Sequence, residues 1–223
     1  GGSGGSAVES VFGRTGAVVA VNGDYNSTID TYTNKTLDCA ATGNTCTIKQ
    51  ERHFEVAGCN NATAGPVLNL PTSNAAVATC DTGTNQFSAY LAFNDATDQS
   101  AHYSFRLPTG YSGGIDWLFR YKMASATTGA VGLCVQMVRL ATGAAGDPAF
   151  PAQAAGNCVS QTVPGTAGFE AEATISGATC TSCVAGDRVF VRVSRDADGG
   201  AVTDSATGDA RLVITGPAYA VGY

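Results

Sequence analysis

The sequence predicts an all-β protein: a short extended N-terminal module followed by an antiparallel, jelly-roll-like β-sandwich, stapled by disulfides. Three observations carry that expectation. Apolar residues alternate with polar ones over much of the chain, glycine-rich turn clusters separate these stretches, and eight cysteines stand among charged residues that amount to only 13%. That charged share is about half the ~25% usual for soluble domains. Thr, Ser, Asn, Gly and Ala must therefore cover most of the exterior.

Residues 1–6, GGSGGS, read as a flexible linker or tag and carry no signal-peptide pattern. Residues 7–38 are expected to form an N-terminal anchoring and trimerising module, and residues 39–84 a disulfide-stapled β connector. The main sandwich is expected over 85–223, where the alternation is clearest. Phe87, Ala89, Leu91 and Phe93 share one face, as do Tyr103, Phe105 and Leu107. Ile115, Trp117, Phe119 and Tyr121 repeat the pattern, followed by Leu133, Val135 and Met137 and by Val189, Val191 and Val193. A period of two is the signature of half-buried strands. Turn clusters such as PTGYSGG, ATTGA and DADGG lie between them. The Ala/Pro-rich stretch 143–157 is expected to be an exposed loop, because Pro148 and Pro151 break any helical register.

The cysteines are Cys39, Cys46, Cys59, Cys80, Cys134, Cys158, Cys180 and Cys183. Their spacing suggests that Cys39–Cys46 and Cys180–Cys183 clip turns; Cys59–Cys80 and Cys134–Cys158 follow by elimination. Connectivity stays open at this level, since eight cysteines admit many pairings. Each bridge would stabilise by ~2–4 kcal/mol. A zinc site would want a second close pair, and haem attachment a His where Val184 stands. An oxidising, extracellular setting follows from the disulfide reading.

The net charge of −6 and the scatter of the basic residues exclude a nucleic-acid stripe, and no run is long enough to span a membrane as a helix. His53 and His102 lie at alternating positions of expected strands, without a local nucleophile or acid. Glu170 and Glu172 share a strand face, where a solvated pair is expected rather than glycosidase carboxylates. Asp196, Asp198 and Gly199 in RDADGG resemble the opening of a calcium loop but lack the closing Glu, so a hairpin turn is expected; Asn94, Asp95 and Asp98 form a similarly weak pattern. Three N-x-S/T sequons fall at Asn26, Asn34 and Asn61. No catalytic residue, cofactor or metal is expected, and the chain reads as non-enzymatic.

Residues 10–25, SVFGRTGAVVAVNGDY, resemble the F-G-R-x-G-x-V-x-x-x-x-G-D-Y segment of bacteriophage tail-fibre and other virion appendage proteins, and TNKTLD at 33–38 resembles the segment that often follows it. The resemblance implies a homotrimer on a virion surface, in contact with other virion structural proteins, with Phe12, Arg14, Val18, Val19 and Tyr25 at the oligomerisation or anchoring surface. Residues 106–122 and 185–214 are similar to β-sandwich domains of phage structural proteins, with added cysteines. The expected role is a short trimeric fibre, spike or capsid-decoration protein. The alternative is a carbohydrate- or receptor-binding sandwich adhesin or a cell-surface structural subunit, with Tyr90, Tyr103, Tyr111, Trp117 and Tyr121 as candidate sugar-facing aromatics. Core positions are the stronger expectation for those five.

Overall fold

A computed structural model describes residues 47–60, 63–66, 69–82, 87–144 and 146–222. Thirteen strands follow one another: β1 (Thr47–Glu51), β2 (Phe54–Glu55), β3 (Ala57–Asn60), β4 (Thr63–Pro66), β5 (Val77–Thr82), β6 (Phe87–Phe93), β7 (Ser100–Arg106), β8 (Tyr111–Met123), β9 (Ala130–Leu140), β10 (Cys158–Thr162), β11 (Glu170–Ala178), β12 (Arg188–Arg195) and β13 (Ala210–Gly222). Among the described residues a 3-10 turn, Ala155–Asn157, precedes β10. The larger sheet has the order β11-β8-β13-β6-β5, with β1 and β2 also paired to β13. The smaller sheet runs β10-β9-β12-β7, and β3 and β4 form a separate two-stranded hairpin. All strand pairings are antiparallel, which makes the fold the disulfide-stapled all-β sandwich that the alternation predicts.

The inward faces of the two sheets meet as period two requires. Ile115, Trp117, Phe119 and Tyr121 of β8 are buried, as are Tyr103 and Phe105 of β7 and Val189, Val191 and Val193 of β12. Phe105 bridges the sheets, with ring centroids 6.4 Å from both Trp117 and Tyr219. The Trp117 indole N–H donates to Thr215 Oγ1 at 2.8 Å, and that hydroxyl donates to the Leu118 carbonyl at 2.8 Å. Both side chains lie out of water, so this relay satisfies polar atoms that would otherwise be orphaned.

The expected connector, 39–84, is corrected in part. β1 and β2 pair with β13, and β5 pairs with β6, so these strands belong to the large sheet. The pairing is antiparallel and continuous with the sandwich, whose boundary therefore precedes Thr47 rather than residue 85. The interruption between β1 and β2 falls beside Pro217 of β13, which lacks an N–H to donate to a partner strand; its carbonyl still accepts from Arg52 N at 2.9 Å. The segment 69–76 runs along the edge of β7, with Asn69 and His102 exchanging backbone hydrogen bonds of 2.7 Å and Ala76 N donating to Ser100 O at 3.0 Å. A covered edge cannot template pairing with another chain.

Two disulfides match the expected pairs. Cys134 and Cys158 are directly opposed on β9 and β10, with Cα atoms 4.0 Å apart. Cys180–Cys183 closes the turn between β11 and β12. Cys80 is also disulfide-bonded. Cys39, Cys46, the anchoring positions Phe12, Arg14, Val18, Val19 and Tyr25, and all three sequons lie outside the described residues, as does the side chain of Cys59.

Candidate functional site

Alternation sends every second residue of the smaller sheet outward, and on this face many of those residues are polar or aromatic. Register places Gln136 of β9 beside Arg192 of β12, and Arg192 beside His102 of β7, in one row across three strands. The next row in one direction is Val138, Phe190 and Ser104; in the other it is Cys134, Ser194 and Ser100. The expected loop at 143–157 folds back over this face. Gln136 Nε2 donates to Pro151 O at 2.6 Å, and Gln153 Nε2 donates to Ser194 Oγ at 2.9 Å. The Cys134–Cys158 bridge sits at the loop's far end, beside its 3-10 turn.

The loop delivers Phe150, half-buried, onto the polar row. Its ring centroid lies 5.0 Å from that of His102, and the Arg192 guanidinium lies 5.2 Å over it. Arg192 is held by donating through Nε to Gln136 Oε1. Two hollows flank the Phe150–His102 contact. One, of about 340 Å³, is lined by Asn74, Asp98, His102, Gln153, Arg192 and Ser194 among others. The second, of about 180 Å³, is lined by Asn69, His102, Asp147, Pro148, Phe150 and Phe190 among others. His102 lines both, and its Nε2 is buried without a hydrogen-bond partner. Burial, and then the neighbouring Arg192 cation, push the imidazole below its ordinary pKa, so it is neutral at physiological pH.

The other sequence candidates fall elsewhere. Trp117 and Tyr121 are fully buried, and Tyr90 and Tyr103 nearly so, while Tyr111 is half-buried with its ring edge-on to Tyr219 at 6.2 Å. Of these five, Tyr103 lines the smaller hollow, while its ring packs inward against Phe54 and Trp117. His53 is exposed, 3.7 Å from Glu51, and Glu170 and Glu172 are exposed on β11, where Glu172 pairs with Arg120 at 3.5 Å. The charged neighbour that lowers the pKa of His102, after burial, is Arg192.

The RDADGG segment, expected as a hairpin turn, joins β12 to β13, which lie in different sheets, so its turn closes no hairpin. The turn exists, with Gly199 N donating to Asp196 O at 3.1 Å and Gly199 in the left-handed region at φ 68°. Yet the loop reaches across to the β6–β7 loop, where Asp198 N donates to Asp98 Oδ1 at 3.3 Å. Asp98, Asp196 and Asp198 each bring a carboxylate oxygen within 4.8 Å of the others. A separation of 98 residues between Asp98 and Asp196 hid this grouping from any local motif. The groove was hidden for a similar reason: Arg188, Phe190 and Arg192 alternate visibly with the valines of β12, but nothing local says that Phe150 stacks there.

No family model matches the chain, and no curated protein matches it. Among solved structures, it is similar to a family 35 carbohydrate-binding module from an environmental isolate, at 9% identity and a TM-score of 0.37, over 76% of this chain and 91% of that one. It is also similar to the carbohydrate-binding module CBM28, specific for non-crystalline cellulose, at 11% identity and a TM-score of 0.38, over 69% and 85% of the two chains. A third is the isomalto-dextranase of Arthrobacter globiformis T6 complexed with panose, at 15% identity and a TM-score of 0.36; the match takes in 77% of this chain but only 23% of the enzyme. Scores at this level assign no function to the chain.

Proposed function

We propose that this chain is a non-catalytic glycan-binding β-sandwich whose binding surface is the outer face of the smaller sheet. The observation that carries the reading is the Phe150–His102–Arg192 cluster set between two open hollows, the larger lined by polar side chains and the smaller by aromatic ones. A sugar ring presents an apolar C–H face and a rim of hydroxyls. Phe150 offers an aromatic plane to the former, while Arg192, Gln153 and Asn74 offer donors and acceptors to the latter. The polar lining of the larger hollow disfavours an apolar ligand there, which needs a mainly hydrophobic pocket. The loop 143–157 is tied to the sheet at Pro151 by Gln136 and at Gln153 by Ser194, which holds the site in shape before ligand arrives and lowers the ordering cost of binding.

The test is a glycan array followed by calorimetric titration of the best oligosaccharide. Phe150→Ala and Arg192→Ala are each expected to weaken binding about tenfold or more, the effect of losing about 1.4 kcal/mol from a contact. An array without a hit, or affinities unchanged in both variants, would overturn the assignment.

A second reading concerns where the module is displayed, and residues 10–25 favour it. Their resemblance to virion appendage segments supports a short homotrimeric fibre, spike or capsid-decoration protein that carries the sandwich on a particle surface. Light-scattering mass tests this: a trimer is expected, and a strict monomer with residues 7–38 intact would exclude it.

A further inference from the structure

We propose that Asp98, Asp196 and Asp198 form a calcium site that ties the β6–β7 loop to the β12–β13 loop. One carboxylate oxygen from each residue lies within 4.8 Å of the others. Oxygens that share one Ca²⁺ at about 2.3–2.6 Å lie within about twice that distance of each other. The grouping thus has calcium's span as it stands.

A second observation points to an ion. Asp196 is completely buried, and its two oxygens are treated differently. Oδ2 accepts from Ala201 N at 3.0 Å and from Val202 N at 2.7 Å. Oδ1, equally buried, has no hydrogen-bond partner at all. Leaving a buried carboxylate oxygen unpaired is costly, and buried charges are normally paired or bound to metal. The groups that might have neutralised it are engaged elsewhere. Arg195, the neighbouring cation, is committed to Asp204 through two bonds of 2.8 Å. The carboxylates of Asp98 and Asp198 each bring a further oxygen within 4.8 Å of that of Asp196. A divalent cation answers all three conditions.

The donor set is hard oxygen throughout, which suits calcium rather than a transition metal. Asp198 is exposed, so waters can complete the six to eight ligands that calcium takes. Backbone donors to Asp98 and Asp198 keep the loop in shape without the ion. Asp98 Oδ1 accepts from Asp198 N at 3.3 Å, and Asp198 Oδ1 accepts from Gly200 N at 2.9 Å. The site stands apart from the reading of the groove as a glycan surface, although Asp98 lies at one wall of the larger hollow.

The experiment is calorimetric titration of the chelator-treated full chain with CaCl₂, paired with thermal unfolding. One ion per chain is expected at this site, with an affinity in the roughly 10⁻⁴–10⁻³ M range of extracellular calcium modules. At ten times that Kd the melting temperature should rise by about 3–5 °C. Magnesium, which dehydrates reluctantly, should give a smaller shift. The double variant Asp98→Asn/Asp198→Asn should bind at least about tenfold more weakly, while Glu172→Gln, a remote exposed carboxylate, should behave as wild type. Should the double variant not fold, amide NMR of the wild-type chain decides: resonances of Asp98 and Asp198–Gly200 should shift first on adding calcium. No binding up to about ten millimolar, equal binding by the double variant, shifts confined to other residues, or a magnesium affinity equal to calcium's would each overturn the proposal.

Discussion

Replacing Asp204 by Ala should remove a large part of the sandwich's stability. Arg195, the last residue of β12, is fully buried, and Asp204 is 3% exposed. The pair is bidentate, with Nε donating to Oδ2 and Nη2 to Oδ1, both at 2.8 Å. The guanidinium also donates to the Gly208 carbonyl at 2.7 Å and to that of Ala206, and Asp204 Oδ2 accepts from Gly132 N at 2.9 Å. These bonds fasten the β12–β13 loop to the smaller sheet. Removing the carboxylate strands a buried cation and an amide donor, which costs about 3–5 kcal/mol. Against a typical ~5–15 kcal/mol, that is about a fifth of the total or more. At about 2–4 °C per kcal/mol, the melting temperature should fall by roughly 6–20 °C. Urea unfolding followed by the emission of Trp117, the chain's single tryptophan and fully buried, measures the loss. Adding Arg195→Met should recover part of it, because an apolar side chain leaves no charge behind. A loss below about 1 kcal/mol, the worth of an exposed ion pair, would refute the reasoning.

Other perturbations report on other parts of the structure. Thr215→Val leaves the Trp117 N–H without an acceptor and should cost about 1–3 kcal/mol by the same denaturation assay. Tyr121→Phe should be neutral or stabilising, because burial raises that phenol to about 12 and its hydroxyl has no partner; a loss above about 1 kcal/mol would indicate a hydrogen bond. His102, whose pKa lies below its ordinary 6.5, binds its proton more weakly folded than unfolded. Its contribution is therefore intact above pH 6.5 and is lost as pH falls from that value toward the folded one, a slope that His102→Gln should flatten in pH-dependent melting curves. Cys134→Ser/Cys158→Ser opens a bridge of sequence separation 24 and should cost roughly 2–4 kcal/mol, read as a lower urea midpoint.

The strands that alternate cleanly were legible from the residues themselves. Phe87–Phe93, Ser100–Arg106 and Arg188–Arg195 appear where period two places them, because each has one face on the core. β13 was harder to read, since Gly216-Pro217 has the composition of a turn; it holds as a strand because Pro217 falls where β1 and β2 part. β1 and β5 were assigned to a connector because a strand's partner is set by tertiary contact, and both pair with strands later in the chain. The same limit governs the sites. Arg192 and Phe190 could be placed outward from the alternation of β12 alone, and RDADGG showed its acidic spacing. Phe150 meeting His102, and Asp98 meeting Asp196, are juxtapositions across 48 and 98 residues, which no local pattern encodes.

The central claim is that the outer face of the smaller sheet binds sugar, and a crystal structure of the chain with its best array oligosaccharide tests it most directly. The account predicts a pyranose ring stacked on Phe150 with hydroxyls hydrogen-bonded to Arg192 and to Gln153 or Asn74. A sugar seated on the seven-stranded sheet, or on any surface that does not touch Phe150 or Arg192, would contradict it.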